Sequence, residues 1–531
     1  MKDASNGIGL ETLEREPGFA VAALKVDVFW AATATVTAAV AGVLGWFLRS
    51  WPPHEDEALA LFVGRGSLGD VLHTVVADRG GAPLHFVFAW TVVHLGGGLT
   101  ALRIVSLVFA VACVPLLAEL GARLTDRATG VLAAVFASAS WVFLFHGVFG
   151  RMYSLFLFTS LLSFLALLAR RYVLWGLALL LVLASHPYAV LVVAAQALYV
   201  VLHGRDRRAF ATLAAVGVAG FPFWWADIVL RNRFDVGIGG GGTRLGSPGA
   251  VLRYLWSVAG DFSSHAHVWS LCFGALAVAG AVLLVRRNRP AALLTACVII
   301  VPAVAFMLAT LRSTTSPEAR HLIFALPFYS LLLALPLVAM ARVNVGLAAV
   351  TLAVVGVLVV GEVRWAHTKT PELFDGDPPG EAHARDAAAA WLAATSRRDD
   401  VLLGYEPVFL RAWEQNRSFS DNVLPRADPA LFADALKDIH GPLGRGIWVF
   451  DASDTTNAQQ RSTIAFRLPQ PQSEFEGRVY GPYLVIRSRR PLVTKRNYVE
   501  VAERVMRVGV SLRINDAEVN LGAMREAESR L

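Results

Sequence analysis

The chain has little charge, few cysteines and very little lysine. Charged residues make up 17% of its 531 positions against 55% hydrophobic ones, and a mean hydropathy of +0.52 excludes a water-soluble enzyme of ordinary composition. Its three cysteines, Cys113, Cys272 and Cys297, all lie inside apolar runs with no CxxC spacing, so they read as small buried hydrophobes. The first 25 residues are polar and of mixed charge, with Glu14, Arg15 and Glu16, and lack the basic start and cleavage site of a signal peptide. Residues 1–25 are expected to be a retained cytoplasmic tail. A net charge of +7 points to no nucleic-acid partner, because arginine gathers in short clusters between apolar runs and forms no single basic face. The glycine run from Gly237 to Gly242 is followed by no GK[ST], which excludes a P-loop. Mobility is the better reading of it, as a lid that orders when substrate binds.

Long apolar runs recur from Val26 to Gly361. Crossing roughly 30 Å of hydrocarbon takes about 20 apolar residues as a helix, and only closed hydrogen bonding survives in lipid. Arg123 with Arg127, Arg170 with Arg171, Arg205 with Arg207 and Arg208, Arg286 with Arg287 and Arg289, and Arg342 mark five basic turns. The positive-inside rule places these in the cytoplasm and the segments between them outside. Two apolar segments, 83–95 and 100–122, lie between the first outward loop (49–100) and the inward Arg123 cluster, and topology allows one crossing. The shorter one, interrupted by His85 and His94 and closed by Gly96, Gly97 and Gly98, is assigned to the outer membrane surface. Eleven spans result: 26–48, 101–122, 128–146, 153–169, 173–185, 188–203, 209–229, 267–285, 291–311, 321–341 and 345–361. The expectation is a polytopic α-helical module over 26–361 in the cytoplasmic membrane, contacting membrane lipids, with the N-terminus inside and the C-terminus outside.

Beyond Gly361 the character changes. Residues 368–531 contain no run long enough to span and alternate helical with strand-like segments. Helices are expected at 387–394 and 431–439, and strands at 400–404, 446–450 and 479–486. That alternation predicts a soluble extracytoplasmic α/β domain with a partly parallel sheet.

The first outward loop opens Trp51, Pro52, Pro53, His54, Glu55, Asp56, Glu57. Three consecutive carboxylates repel one another, and in a partly desolvated site that repulsion raises one of them toward the range of a useful base. The bland alternative is an acidic turn capping the helix that starts near Ala58. Arg151 and Arg320 stand at outward helix mouths, where a guanidinium fork suits phosphate oxygens or else snorkels to lipid headgroups. Tyr153, His146, His186 and His321 lie at the same level. A lone histidine such as His186, before Pro187 at a helix start, more often caps or packs than catalyses.

An ordered set of short segments carries a resemblance. Asp56-Glu57-Ala58, Gly66-Ser67-Leu68, Ala82-Pro83-Leu84-His85-Phe86 and Ala101-Leu102-Arg103 resemble the start of the dolichyl-phosphate-mannose protein mannosyltransferase and aminoarabinose transferase superfamily, the GT-C glycosyltransferases (glycosyltransferase family 39-like). Gly150-Arg151-Met152-Tyr153-Ser154-Leu155 resembles their second outward loop. Glu318-Ala319-Arg320-His321-Leu322 before Leu326-Pro327 resembles the start of a late span. The resemblance covers residues 45–345 and implies a GT-C fold and transfer, with inversion, of a sugar from a polyprenyl-phosphate donor to a glycan, lipid or protein acceptor outside the membrane. It implies Asp56 as general base, Glu57 positioning the acceptor, Glu55 as a rim charge, and Arg151, Tyr153, Arg320 and His321 about the donor phosphate. Glu55, His85, His146 and His186 are candidate substrate contacts.

The chain departs from the family pattern where some relatives carry a metal-holding acid, since His146 to Tyr153 contains no carboxylate. No cofactor is required on this reading. The alternative is a divalent ion held by Asp261, His265 and His267 with Asp56. The competing functions are a lipid or glycolipid transporter or flippase, and a non-catalytic member of the fold. Transporters place ionisable groups near mid-membrane, whereas the expected spans are nearly free of charge, with Glu119 and Asp227 near their ends.

Overall fold

The computed structural model describes residues 27–75, 83–204, 206–225, 245–309, 317–426, 429–452, 467–514 and 517–531. Gly237 to Gly242 lie outside them. Six helices are long and apolar enough to cross a membrane, including Val28–Ser50, Leu99–Leu124, Arg289–Ala309 and Val345–Lys369. A seventh span comes from the pair Arg127–Ala139 and Trp141–Val148, bent by 66°. Tyr153–Leu168, Tyr172–Ser185, Ala189–His203 and Arg207–Ala219 are apolar but shorter than the length rule asks. Among the described residues each of the eleven expected segments is helical, and six, or seven with the bent pair as one span, meet the length criterion.

Three of the expected basic turns meet at one end of the bundle. Arg342 pairs with Asp126 at 2.7 Å and Arg127 with Asp27 at 2.9 Å. Asn288 donates to the carbonyl of Leu124 at 3.0 Å. Close crossings hold the helices together where side chains vanish: a Cβ on Gly130 would sit 2.2 Å from the Ala118 carbonyl oxygen of Leu99–Leu124. Small residues at such crossings are how apolar helices pack in lipid.

Two departures from the expected spans shape the site. The segment expected as one span at 128–146 breaks at Ser140, whose backbone is extended and whose hydroxyl caps the next helix at the amide of Phe143. A side chain that offers the backbone an alternative partner starts a new helix there, and Trp141–Val148 swings across the bundle. The last span runs eight residues beyond Gly361, to Lys369. Glu362 therefore lies inside it, fully buried with no hydrogen-bond partner among the described residues, so the spans are not as free of charge as the sequence implied.

The C-terminal residues form a five-stranded sheet of β1 (Val401–Gly404), β2 (Asn422–Val423), β3 (Gly446–Asp451), β4 (Phe475–Tyr480) and β5 (Tyr483–Ser488), in the order β2-β1-β3-β5-β4. β1 runs parallel to β2 and β3, while β5 runs antiparallel to β3 and β4. The single strand expected at 479–486 is a hairpin that reverses at Gly481, whose φ of +52° suits glycine. Alternate residues serve two cores. Val401, Leu403, Trp448 and Phe450 face the helices Lys495–Ser511 and Ala517–Glu528. Leu402, Ile447 and Val449 join a core that also contains Ala58, Leu61, Phe86 and Ala89 of the first outward loop. The segment expected on the membrane surface is the helix Pro83–His94, and its buried face, His85, Phe86, Ala89 and Val92, packs into that shared core.

Replacing Gly130 by Val is expected to force Arg127–Ala139 away from Leu99–Leu124 at a cost of about 1–3 kcal/mol. The thermal midpoint of the purified chain in detergent measures it; an unchanged midpoint contradicts the close crossing.

Candidate active site

The acidic turn is a helix N-terminus, as the bland alternative has it. Glu55–Val63 is capped by His54, whose ring Nδ1 accepts from the amide of Asp56 at 3.2 Å, while Glu57 accepts from the amide of His54 at 3.1 Å. Within that turn the three acids have separate surroundings.

Glu57 is fully buried. Arg103 donates to it through Nε at 2.8 Å and Nη2 at 2.6 Å, and the amide of Gly150 donates at 2.6 Å. The same guanidinium holds the carbonyls of Trp51 and Pro52, each at 2.6 Å. Both oxygens of Glu57 are thus occupied, and it ties the loop to Leu99–Leu124 and to the turn after Trp141–Val148. Arg103 was visible in the sequence only as part of a motif, and nothing local marked it as the partner.

Asp56 is about a third exposed, and Arg151 lies beside it, with Nη1 3.0 Å from its carbonyl oxygen and 4.0 Å from its carboxylate. His85 is buried against both; burial first, and then the Arg151 cation, hold its imidazole neutral, down to about 3. Arg320 lies over the ring of Tyr153 at 5.2 Å and donates to Glu318 at 2.6 Å. Tyr153, Glu318 and Asp56 all lie within its electrostatic reach.

A band of rings lines the space between these charges. His146 lies tilted against Tyr153 at 4.4 Å, and His186 lies 5.4 Å from Tyr153 and 5.6 Å from His321. His321 lies flat on Tyr188 at 4.6 Å, a contact the sequence reading missed although Tyr188 follows the singled-out His186 and Pro187. His186 accepts from the amide of Tyr188 and His321 from that of Glu318, so each has a capping duty. His146 has none: both its ring nitrogens are buried without a partner, as are Nε2 of His85 and the Nε atoms of Arg151 and Arg320. Asp56, Arg151, Tyr153, Arg320, His321, His85, His146 and His186 therefore belong to one constellation.

The metal alternative is not assembled. Asp261 is buried and paired with Lys369 at 2.5 Å, with the indole of Trp365 at 3.3 Å, while His265 packs on Trp365. The side chain of His267 lies outside the described residues, and among those described no group of three or more His, Cys, Asp or Glu gathers.

Glu55, expected at the rim, is ion-paired with Arg426 of the C-terminal domain, which also contacts Glu406. Burial pushes the Glu406 carboxyl up to about 7, against the pull of Arg426 and with a further push from Glu55.

Arg103→Ala is expected to cost about 3–5 kcal/mol, because it leaves a buried carboxylate unpaired, and Asp56→Asn far less; thermal melts of the two variants decide it. A carboxyl raised by folding lends stability that is complete below the usual glutamate range and drains away as pH climbs through the raised value. Glu406→Gln is therefore expected to melt level with the parent at pH ~5 and above it at pH ~8; a gap that ignores pH contradicts burial as the main influence.

No protein-family model matches the chain, and no curated protein matches it. Solved structures do. The oligosaccharyltransferase of Archaeoglobus fulgidus in its apo form aligns over 80% of this chain and 70% of its own at 9% identity, with a TM-score of 0.51. The oligosaccharyltransferase AglB of the same organism, in complex with an inhibitory peptide and a dolichol-phosphate, aligns over 79% and 69% at 10% identity and 0.50. ArnT from Cupriavidus metallidurans in the apo state covers 86% of this chain and 98% of its own at 15% identity and 0.48. The oligosaccharyltransferase likeness shows a shared fold: this chain is a multi-pass membrane protein with the GT-C architecture.

Proposed function

We propose that the chain is a membrane glycosyltransferase that moves a sugar from a polyprenyl-phosphate donor to an acceptor on the outer face of the cytoplasmic membrane, with inversion. On this reading residues 26–361 form the catalytic module, the N-terminus is cytoplasmic, and residues 368–531 form an outer cap. One observation carries the proposal: a partly exposed carboxylate, Asp56, stands 4.0 Å from one guanidinium and within electrostatic reach of a second, in a space lined by rings.

Such an arrangement suits displacement at an anomeric carbon. Asp56 takes the proton of the acceptor hydroxyl as its oxygen attacks; the bond from the anomeric carbon to the phosphate oxygen breaks, and the negative charge passes to the phosphate. Arg151 and Arg320 receive that charge, and they are preorganised for it by the Asp56 carbonyl, by Glu318 and by Tyr153. The buried imidazoles of His85 and His146 offer hydrogen bonds to sugar hydroxyls. Glu57 and Arg103 hold the turn that aims Asp56. The fold neighbour AglB is solved with a dolichol-phosphate, a ligand of the same chemical class as the proposed donor.

Glu362 is the observation that favours transport, since a buried acid within a span is a usual mark of an ion path. It has no hydrogen-bond partner among the described residues, whereas the cluster at the helix mouths combines base, cations and rings as transfer requires.

Purified chain in nanodiscs, given undecaprenyl-phosphate-linked sugars, is expected to release undecaprenyl phosphate. Asp56→Asn is expected to lower that rate about 10²–10⁴-fold and to leave the binding of undecaprenyl phosphate intact, while Arg151→Gln and Arg320→Gln weaken that binding. Full turnover by Asp56→Asn sinks the assignment of the base.

A further inference from the structure

The C-terminal domain reaches the turn carrying Asp56 through the side chain of Arg426. Its Nη2 contacts the carboxylate of Glu55, its Nε lies 3.1 Å from Oε1 of Glu406, and Nη2 lies 3.0 Å from Oε2 of Glu406. Glu55 is the first residue of Glu55–Val63, directly before Asp56. Successive Cα atoms are about 3.8 Å apart, so a hold on Glu55 acts on the backbone that presents the Asp56 carboxylate. From the other side Arg151 holds the carbonyl of Asp56 at 3.0 Å, and Glu57 is fixed by Arg103. Glu55 is held by a residue from outside the membrane module.

The other end of the contact is rigid. Glu406 opens the helix Glu406–Gln415, and Val408, Phe409, Ala412 and Trp413 of that helix share a core with Ala58 and Leu61 of the Asp56 helix. The side chain of Glu406 is 4% exposed, against 25% for Arg426 and 35% for Glu55. The guanidinium therefore bridges a buried carboxylate on one side and a half-buried one on the other. A planar fork can do this, whereas a single ammonium has no fixed second donor direction. The bridge lies beside a narrow cleft lined by Tyr405, Asp451 and Asn520.

We propose that Arg426 is a positioning residue: by clamping Glu55 to Glu406 it sets the Asp56 turn against the C-terminal domain, so that the placement of the base depends on that domain. The catalytic consequence rests on the reading of Asp56 as base; the clamp itself does not.

The test uses full-length chain in nanodiscs, with hydrogen exchange of the peptide 51–63 read beside that of β3 and β5. Arg426→Ala and Glu55→Gln are each expected to raise exchange in 51–63 about tenfold while both strands stay protected. The double variant is expected to add nothing, because both changes cut one link. Turnover of undecaprenyl-phosphate-linked sugar is expected to fall about ten- to hundred-fold in kcat with undecaprenyl phosphate affinity unchanged, and Arg426→Lys to recover part of it. Unchanged protection of 51–63 in both single variants overturns the clamp. So does loss of protection in β3 and β5 along with it, which marks a general support of the fold. If the parent chain shows no turnover while 51–63 still loosens in the variants, the transferase reading fails and the clamp stands. If the parent turns over and both variants match it in kcat, the positioning role fails and the transferase reading stands.

Discussion

The architecture of the outward face depends on one buried carboxylate. Glu57 receives four hydrogen bonds, from two nitrogens of Arg103, from the amide of Gly150 and from the amide of His54. Those donors come from Leu99–Leu124, from the turn after Trp141–Val148 and from the loop itself. Removing a charge from water costs several kcal/mol per ion, and attraction repays it only where geometry is excellent and the other lone pairs are filled. Here they are filled, so the interaction acts as a register for the turn, in which the Asp56 carboxylate lies 4.0 Å from Arg151. The bend at Ser140 belongs to the same device, because it brings Gly150 within 2.6 Å of the carboxylate.

Seen from the sequence, the charged residues at the helix mouths were legible because so little charge surrounds them. In a chain this apolar an arginine such as Arg151 or Arg320, beside a helix start, has few ordinary uses. The division of labour within Glu55, Asp56 and Glu57 was not legible. Adjacent acids carry the same local signal, and what separates them is a partner 46 residues away for Glu57 and 371 residues away for Glu55. Only tertiary burial distinguishes a register from a base. The hairpin at Gly481 was missed for a different reason: the apolar alternation of Val479 to Ile486 runs straight through the turn, and the Gly-Pro pair that punctuates it was outweighed by hydrophobicity. Glu362 escaped because hydropathy ends a span where the first charge appears, whereas the helix ignores that charge and continues to Lys369.

The shared core alters what the C-terminal domain is for. Had the sheet buried both its faces within its own residues, the domain would be a tethered neighbour of the membrane module. Leu402, Ile447 and Val449 instead complete their packing on Ala58, Leu61, Phe86 and Ala89, so neither the loop nor the domain has a finished core without the other. Cation stacking reinforces the seam: Arg65 of the loop lies 4.3 Å over Trp413, and Arg417 lies 3.7 Å over the same indole. The loop that presents Asp56 thus shares its core with the C-terminal domain, while its first turn and the ring of Phe88, packed on Phe109, tie it to the bundle.

The distribution of unpaired polar atoms supports the same conclusion from the side of cost. A buried donor or acceptor left without a partner costs about 1–3 kcal/mol, and folded chains keep few of them. Five such atoms occur in four neighbouring side chains here: Nε2 of His85, both ring nitrogens of His146, and the Nε atoms of Arg151 and Arg320. The histidines that border them, His186 and His321, are each satisfied by a backbone amide, and other buried atoms without a partner among the described residues lie elsewhere in the chain, as at Thr33, Ser138 and Glu362. On the function proposed above, these atoms are where the oxygens of a sugar joined to phosphate find partners.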